Sequence, residues 1–132
     1  MVFSVGLDHF FGSDEDRPVR AVVRRAERLR FPDDPDSPLP SYWFESLDFP
    51  AVNRKLSAYL AEFAPAEANA VTLHEHPGAE LLYVIEGTVG LWHDGAETRL
   101  EEGDAVYFDC SRPHRYRSLD GKHCTGLVVT VP

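Results

Sequence analysis

The sequence predicts an all-β fold, a sandwich or barrel, on three observations. From residue 41 to the C-terminus, short segments rich in β-formers recur at regular spacing. Turn signals separate them, among them Gly87-Thr88, Asp94-Gly95 and Gly103-Asp104. At 132 residues the chain fits one domain and can bury a core without disulfide or metal staples.

Composition narrows the class. The sequence is 43% hydrophobic and 27% charged, ordinary for a soluble globular protein. Its net charge of −9 argues against broad nucleic-acid binding, because phosphate contacts need a basic surface. No apolar run approaches the roughly 20 residues that span a bilayer, and the first residues lack signal-peptide character, so a cytoplasmic location is expected. Two cysteines, Cys110 and Cys124, make no disulfide framework and read as free thiols. Cys110 precedes His114 by four residues, yet its plainer reading is a small, semi-buried residue at a strand end.

The elements follow in order. Residues 1–40 read as an N-terminal arm and proline-rich loop, and residues 41–132 as the barrel. Within the arm, residues 17–31 carry Arg17, Arg20, Arg24, Arg25, Arg28 and Arg30. Two periodicities compete there. A strand would put Val19, Ala21 and Val23 on one face, and a helix would stripe Val19, Val22, Val23 and Ala26. The arginines read as a solvated face. Four prolines between 32 and 40 exclude regular structure from that stretch.

In the barrel, Tyr42–Leu47 has aromatic strand character, and Leu56–Phe63 suits strand or helix by propensity. Ala70–His76, Leu81–Glu86 and Val89–Trp92 are strand candidates. Thr98–Leu100 closes a hairpin over Asp94-Gly95. Ala105–Phe108, His114–Arg117 and Cys124–Val131 complete the series.

The most specific chemistry lies in His74-Glu75-His76-Pro77-Gly78-Ala79-Glu80, with Gly87 beyond it and Pro113-His114 downstream. On a strand, His74 and His76 point to the same face, and Glu75 points away. Pro77-Gly78 breaks the strand, so Glu80 can return toward the same point. Three imidazoles and one carboxylate form a plausible shell for one divalent transition metal ion: Fe, Mn, Ni, Co or Zn. Leu82 and Val84 share the face of Glu80, and Tyr116 that of His114, so all three are expected to line the pocket. His93 and His123 sit at turns and read as solvated, and His9 belongs to the arm. Tyr116, Cys110 and Glu86 exhaust the candidate bases. No phosphate loop, Ser-His-Asp arrangement or catalytic carboxylate pair stands out.

These residues resemble the two motifs of the cupin superfamily. The first, Gly-x5-His-x-His-x3-Glu-x6-Gly, is carried by His74, His76, Glu80 and Gly87, with Ala68 in place of the opening glycine. The second, Gly-x5-Pro-x-Gly-x2-His-x3-Asn, is matched at Gly103 and His114, with Asp109, Ser111 and Ser118 at the other positions. The resemblance covers about residues 41–132. It implies a double-stranded β-helix, the jelly-roll cupin barrel, with metal inside, and makes Leu56–Phe63 a strand.

A narrower similarity runs from Leu7-Asp8-His9-Phe10-Phe11 through Asp16-Arg17-Pro18-Val19 and Arg24-Arg25 to Asp109–Arg117. It resembles the sensor half of bacterial helix-turn-helix/cupin regulators. The DNA-binding domain of those proteins ends near the equivalent of residues 6–11, so this chain has no room for it. A stand-alone relative, or a chain whose start lies elsewhere, is expected. The similarity favours an edge strand, exchanged between subunits, in residues 17–31. The expected function is a metal-binding small-molecule sensor module that forms a homodimer and contacts neither nucleic acid nor membrane. The alternative is a small metal-dependent enzyme, a dioxygenase or isomerase.

Overall fold

The computed structural model describes residues 20–38, 40, 42–65 and 73–132. Among these, nine strands form two antiparallel sheets, and there is no α-helix. They are β1 (Leu29–Pro32), β2 (Tyr42–Ser46), β3 (Ser57–Phe63), β4 (Ala79–Glu86), β5 (Val89–His93), β6 (Ala96–Leu100), β7 (Ala105–Asp109), β8 (His114–Ser118) and β9 (Cys124–Val131). The larger sheet runs β1-β2-β3-β9-β4-β7 and the smaller β6-β5-β8. This is the jelly-roll barrel that the motifs imply.

Side-chain alternation decides which face packs. In β4, Glu80, Leu82 and Val84 are buried while Leu81, Tyr83 and Ile85 point outward. In β8, His114, Tyr116 and Ser118 are the buried set. The inward faces meet around Phe63, Leu82, Val84, Val89, Cys110 and Cys124, all essentially inaccessible to solvent. Burying a side chain of the Val, Leu or Phe class contributes about 1.5–3 kcal/mol, so this set anchors the two sheets. The hairpin expected at Asp94-Gly95 joins β5 to β6, with both residues at positive φ (54° and 83°). Leu56–Phe63 resolves as strand: β3 pairs with β2 on one side and β9 on the other.

Residues 17–31 follow neither simple periodicity. Positions 17–19 lie outside the described residues. Thereafter a 3-10 turn at Arg25–Glu27 leads into β1, the edge strand, which pairs with β2 of the same chain. A helix here would have no apolar surface to cover, and Val22 is exposed. β1 is held from both faces. Phe31 packs on Phe44 and Tyr59, while Arg30 bonds Glu62 at 2.6 Å and lies over the Trp43 ring. Of the Ala70–His76 strand candidate, residues 70–72 lie outside the described residues, and His74 forms a single antiparallel bridge with His114. Both cysteines are buried free thiols.

Candidate metal centre

One end of the barrel gathers its titratable side chains around a cavity of about 340 Å³. The backbone dictates who meets there. The segment 74–78 runs antiparallel to 110–114. The His74 and His114 amides exchange hydrogen bonds with each other's carbonyls, the His76 amide donates to the Cys110 carbonyl, and the Cys110 amide donates to the Gly78 carbonyl. Gly78, at φ +100°, lets this segment lie against the end of β9: a Cβ there would sit 1.9 Å from the Val131 carbonyl oxygen. β4 then delivers Glu80, and β8 delivers His114 and Tyr116.

His76, Glu80, Cys110 and His114 offer ligand atoms all within 4.8 Å of one another. Three of the four residues expected from the sequence are therefore brought together. The fourth, His74, lines the same cavity but aims Nε2 at Asp33 Oδ2, 3.4 Å away. Of the expected lining residues, Tyr116 faces the cavity. Leu82 and Val84 pack into the core behind it, and the cavity wall comes instead from Phe31, Phe44, Tyr59 and Val128.

The donor set fits a divalent ion. Metal–ligand bonds of about 2.0–2.3 Å put neighbouring donors within such a span. Both imidazoles are preset, since His76 Nδ1–H donates to the Pro77 carbonyl (3.1 Å) and His114 Nδ1–H to the Arg112 carbonyl (3.0 Å). A carbonyl can only accept, so each ring keeps its Nε2 lone pair for the site. Glu80 Oε1 stands 3.7 Å from His76 Nε2, and Oε2 accepts from the Tyr116 hydroxyl. The Tyr42 hydroxyl accepts from the Tyr116 amide, which fixes that strand against β2.

Burial governs the electrostatics. It raises the Glu80 pKa above the usual carboxylate range, against the Tyr116 hydrogen bond and His76, which lower it. Burial also lowers the His114 pKa, helped by the neighbouring histidines, so the ring is kept neutral and able to coordinate. The Cys110 thiol is pushed up to about 12 by burial and by the nearby Glu80 and Asp109 charges. Tyr116 is raised well above 10 by burial and Glu80.

Three participants differ from the sequence reading. Cys110 is wholly buried and its Sγ joins the cluster. Inward alternation through Val106 and Phe108 was the available signal. Asp33 had none: it lies in the proline-rich loop, fixed by Tyr42, whose amide donates to Asp33 Oδ1 (3.3 Å) and whose carbonyl accepts from the Asp33 amide (3.1 Å). His93 is not solvated at a distance. It pairs with His114 across β5 and β8, packs on Phe108, and bonds the Asp109 carbonyl at 3.0 Å. His123 is exposed beside Glu62, and Glu75 points to solvent.

Comparisons with known proteins agree with this architecture. The solved structure of Fe(II) HppE superposes with a TM-score of 0.70 at 17% identity, over 84% of this chain and 60% of its own. Hydroxypropylphosphonic acid epoxidase from S. wedmorenis gives 0.67 at 16%, over 86% and 59%. A cupin-superfamily sugar phosphate isomerase from Silicibacter pomeroyi gives 0.65 at 17%, over 85% and 76%. The chain thus spans about 60% of the length of the first two. Identities this low speak for the shared fold. No curated protein matches the sequence. No helix among the described residues is long and apolar enough to cross a membrane. The family model described as "Cupin domain" matches residues 59–130, more than half of the chain, and the chain belongs to the cupin family.

Proposed function

We propose that this cupin binds one divalent transition metal ion through His76, Glu80 and His114, and that the cavity above it binds a small organic molecule. The observation that carries the reading is the convergence of these donors on one wall of a cavity whose other walls are aromatic. A cavity of about 340 Å³ with apolar sides and a few convergent polar groups suits a small-molecule site. A bound ion would supply open coordination positions to an oxygen or nitrogen of that molecule.

The chain's own residues do the rest. Phe31, Phe44 and Tyr59 contact the apolar part of the ligand. Tyr116 donates to Glu80 Oε2 and keeps the carboxylate aimed. Asp33 Oδ2 and His74 Nε2 are buried yet lack a hydrogen-bond partner. Their 3.4 Å approach is within ion-pair reach but not aligned as a hydrogen bond. Such atoms are costly unless something satisfies them, at about 1–3 kcal/mol each, and a polar group of the ligand would. The role we assign is a sensor or binding module, in keeping with the similarity to regulator sensor domains. β1 carries Phe31, so a ligand that packs on Phe31 bears directly on the N-terminal arm.

A second reading is a small metal-dependent enzyme, favoured by one observation: groups able to move protons, Tyr116 and the Asp33–His74 pair, line the same cavity as the donors. That two structural neighbours are an Fe(II) protein and an isomerase agrees with it.

The test is a melting series. Metal-stripped protein is mixed in turn with Mn²⁺, Fe²⁺, Co²⁺, Ni²⁺ and Zn²⁺, then with small carboxylates, phosphonates and amines. A rise in Tm with metal, increased further by one ligand class, is the expected result. Absence of any metal effect overturns the proposal. Oxygen uptake or substrate isomerisation by the loaded protein would establish the enzyme reading instead.

A further inference from the structure

We propose that Cys110 is the fourth protein ligand of the ion, giving a set of two imidazoles, one carboxylate and one thiolate, and that His74 stays with Asp33 on the cavity wall. This rests on the metal reading above and sharpens it.

Geometry makes the first case. Cys110 Sγ lies within 4.8 Å of the ligand atoms of His76, Glu80 and His114, and His74 is not part of that cluster. Cys110 is clamped by two backbone hydrogen bonds of 2.9 Å, its amide to the Gly78 carbonyl and its carbonyl from the His76 amide. The sulfur position is therefore tied to the same chain segment that positions His76.

Cys124 is an internal control. It is equally buried, but its thiol lies 3.9 Å from the Phe63 carbonyl and meets no other donor cluster among the described residues. Burial as a small core residue accounts for Cys124. It does not account for a thiol surrounded by two imidazoles and a carboxylate.

His74 faces a different group. Its Nε2 faces Asp33 Oδ2 at 3.4 Å; the Asp33 side chain, 2% exposed, accepts from the Tyr42 amide through Oδ1, and the Asp33 amide donates to the Tyr42 carbonyl. The Tyr42 and His74 rings also pack at 5.2 Å between centroids.

Charge makes the second case. Glu80 and a Cys110 thiolate together cancel the two positive charges of a divalent ion. With His74 in place of Cys110, the ligands alone would leave one positive charge to be balanced from outside the set, and buried net charge is costly. On binding, the Sγ–H bond breaks, its proton leaves to buffer, and sulfur donates its electron pair to the ion. No oxidation state changes. A thiolate also shifts preference toward Co²⁺, Ni²⁺ and Zn²⁺ over Mn²⁺.

The experiment uses the full chain stripped of metal and titrated with Co²⁺, read by absorption. One equivalent should produce a thiolate-to-cobalt charge-transfer band in the near ultraviolet. The band should be lost in Cys110→Ser and kept in Cys124→Ala and His74→Ala. The Zn²⁺ form of Cys124→Ala, read by X-ray absorption, should show one sulfur at about 2.3 Å, and this holds the test open if Cys110→Ser fails to fold. Cobalt bound with no such band, or zinc ringed only by nitrogen and oxygen, overturns Cys110 as a ligand and leaves the metal reading standing. Loss of cobalt binding in a folded His74→Ala overturns the place given to His74. Wild type that takes up neither ion overturns the metal reading itself.

Discussion

Replacing Glu80 with Gln should stabilise the metal-free protein, and increasingly so as pH rises. Glu80 is 5% exposed, and burial holds its pKa above the 4.5 of an unfolded glutamate. Between 4.5 and the higher folded value, the native state holds a proton that the unfolded chain has released. The stability this proton contributes is complete below 4.5 and is lost as pH rises through the folded pKa. For one site the steepest slope is 2.303RT, about 1.4 kcal/mol per pH unit. Gln has nearly the same shape, can accept from the Tyr116 hydroxyl, and has nothing to titrate. The difference between the two proteins reports Glu80 together with its coupling to His76, and groups not coupled to Glu80 cancel. That includes His114, whose burial-lowered pKa acts in the opposite direction: its contribution is present above 6.5 and lost as pH falls through the folded value. The assay is urea unfolding with chelator present, from about pH 4 to about pH 8. A constant offset is expected at the acid end and a growing advantage for E80Q above it. Parallel curves would refute the reasoning. Added metal should then reverse the order, since a ligand at a thousand times its Kd stabilises the wild type by about 4.1 kcal/mol and E80Q lacks the donor.

Three further outcomes follow from the packing. Phe63→Ala empties a fully buried ring site against Tyr42 and Tyr116 and should cost about 3–5 kcal/mol, seen as a fall in the urea midpoint. Gly87 and Gly95 share positive φ (88° and 83°), but a Cβ at Gly87 would lie 2.5 Å from the Cys124 Cβ, while one at Gly95 meets nothing within 4 Å. Gly95→Ala should therefore cost about 1–2 kcal/mol and Gly87→Ala about 1–3 kcal/mol more; equal losses by the same measurement would contradict the clash. Arg112→Ala breaks an exposed pair with Asp94 and should move stability by less than about 1 kcal/mol, checked by melting temperature.

The barrel strands were legible because each is short, amphipathic and bounded by its own turn chemistry. Asp94-Gly95 and the alternation of Glu80, Leu82 and Val84 needed no tertiary information. The arm was not legible for the converse reason. β1 is held by Phe31 on Phe44 and Tyr59 and by Arg30 on Glu62, partners 13 to 32 residues away that no local period can reveal. The same holds for the lining expected of Leu82 and Val84. Alternation places them on the inward face, but distance along β4 puts them in the core behind Glu80 instead of over the cavity.

The site divides along the same line. Strand alternation places His74 and His76 on one face, and both do face the cavity. It does not specify which inward-facing donors converge, because that depends on where the 110–114 segment turns against 74–78. The His76 amide bonds the Cys110 carbonyl, two residues on from His74 along one segment but four residues back from His114 along the other. That offset draws the sulfur beside His76, while Asp33, fixed by Tyr42 from across the sheet, meets His74. Tyr42 thus couples the two arrangements, since its backbone fixes Asp33 and its hydroxyl holds the Tyr116 amide. Tyr42→Phe keeps the ring and the Asp33 hydrogen bonds and removes only the acceptor for that buried amide. It should cost about 1–3 kcal/mol by urea unfolding and leave cobalt stoichiometry intact. A folded Tyr42→Phe that no longer binds cobalt would mean that the donor cluster depends on the register between β2 and β8, and not on the 74–78 and 110–114 pairing argued here.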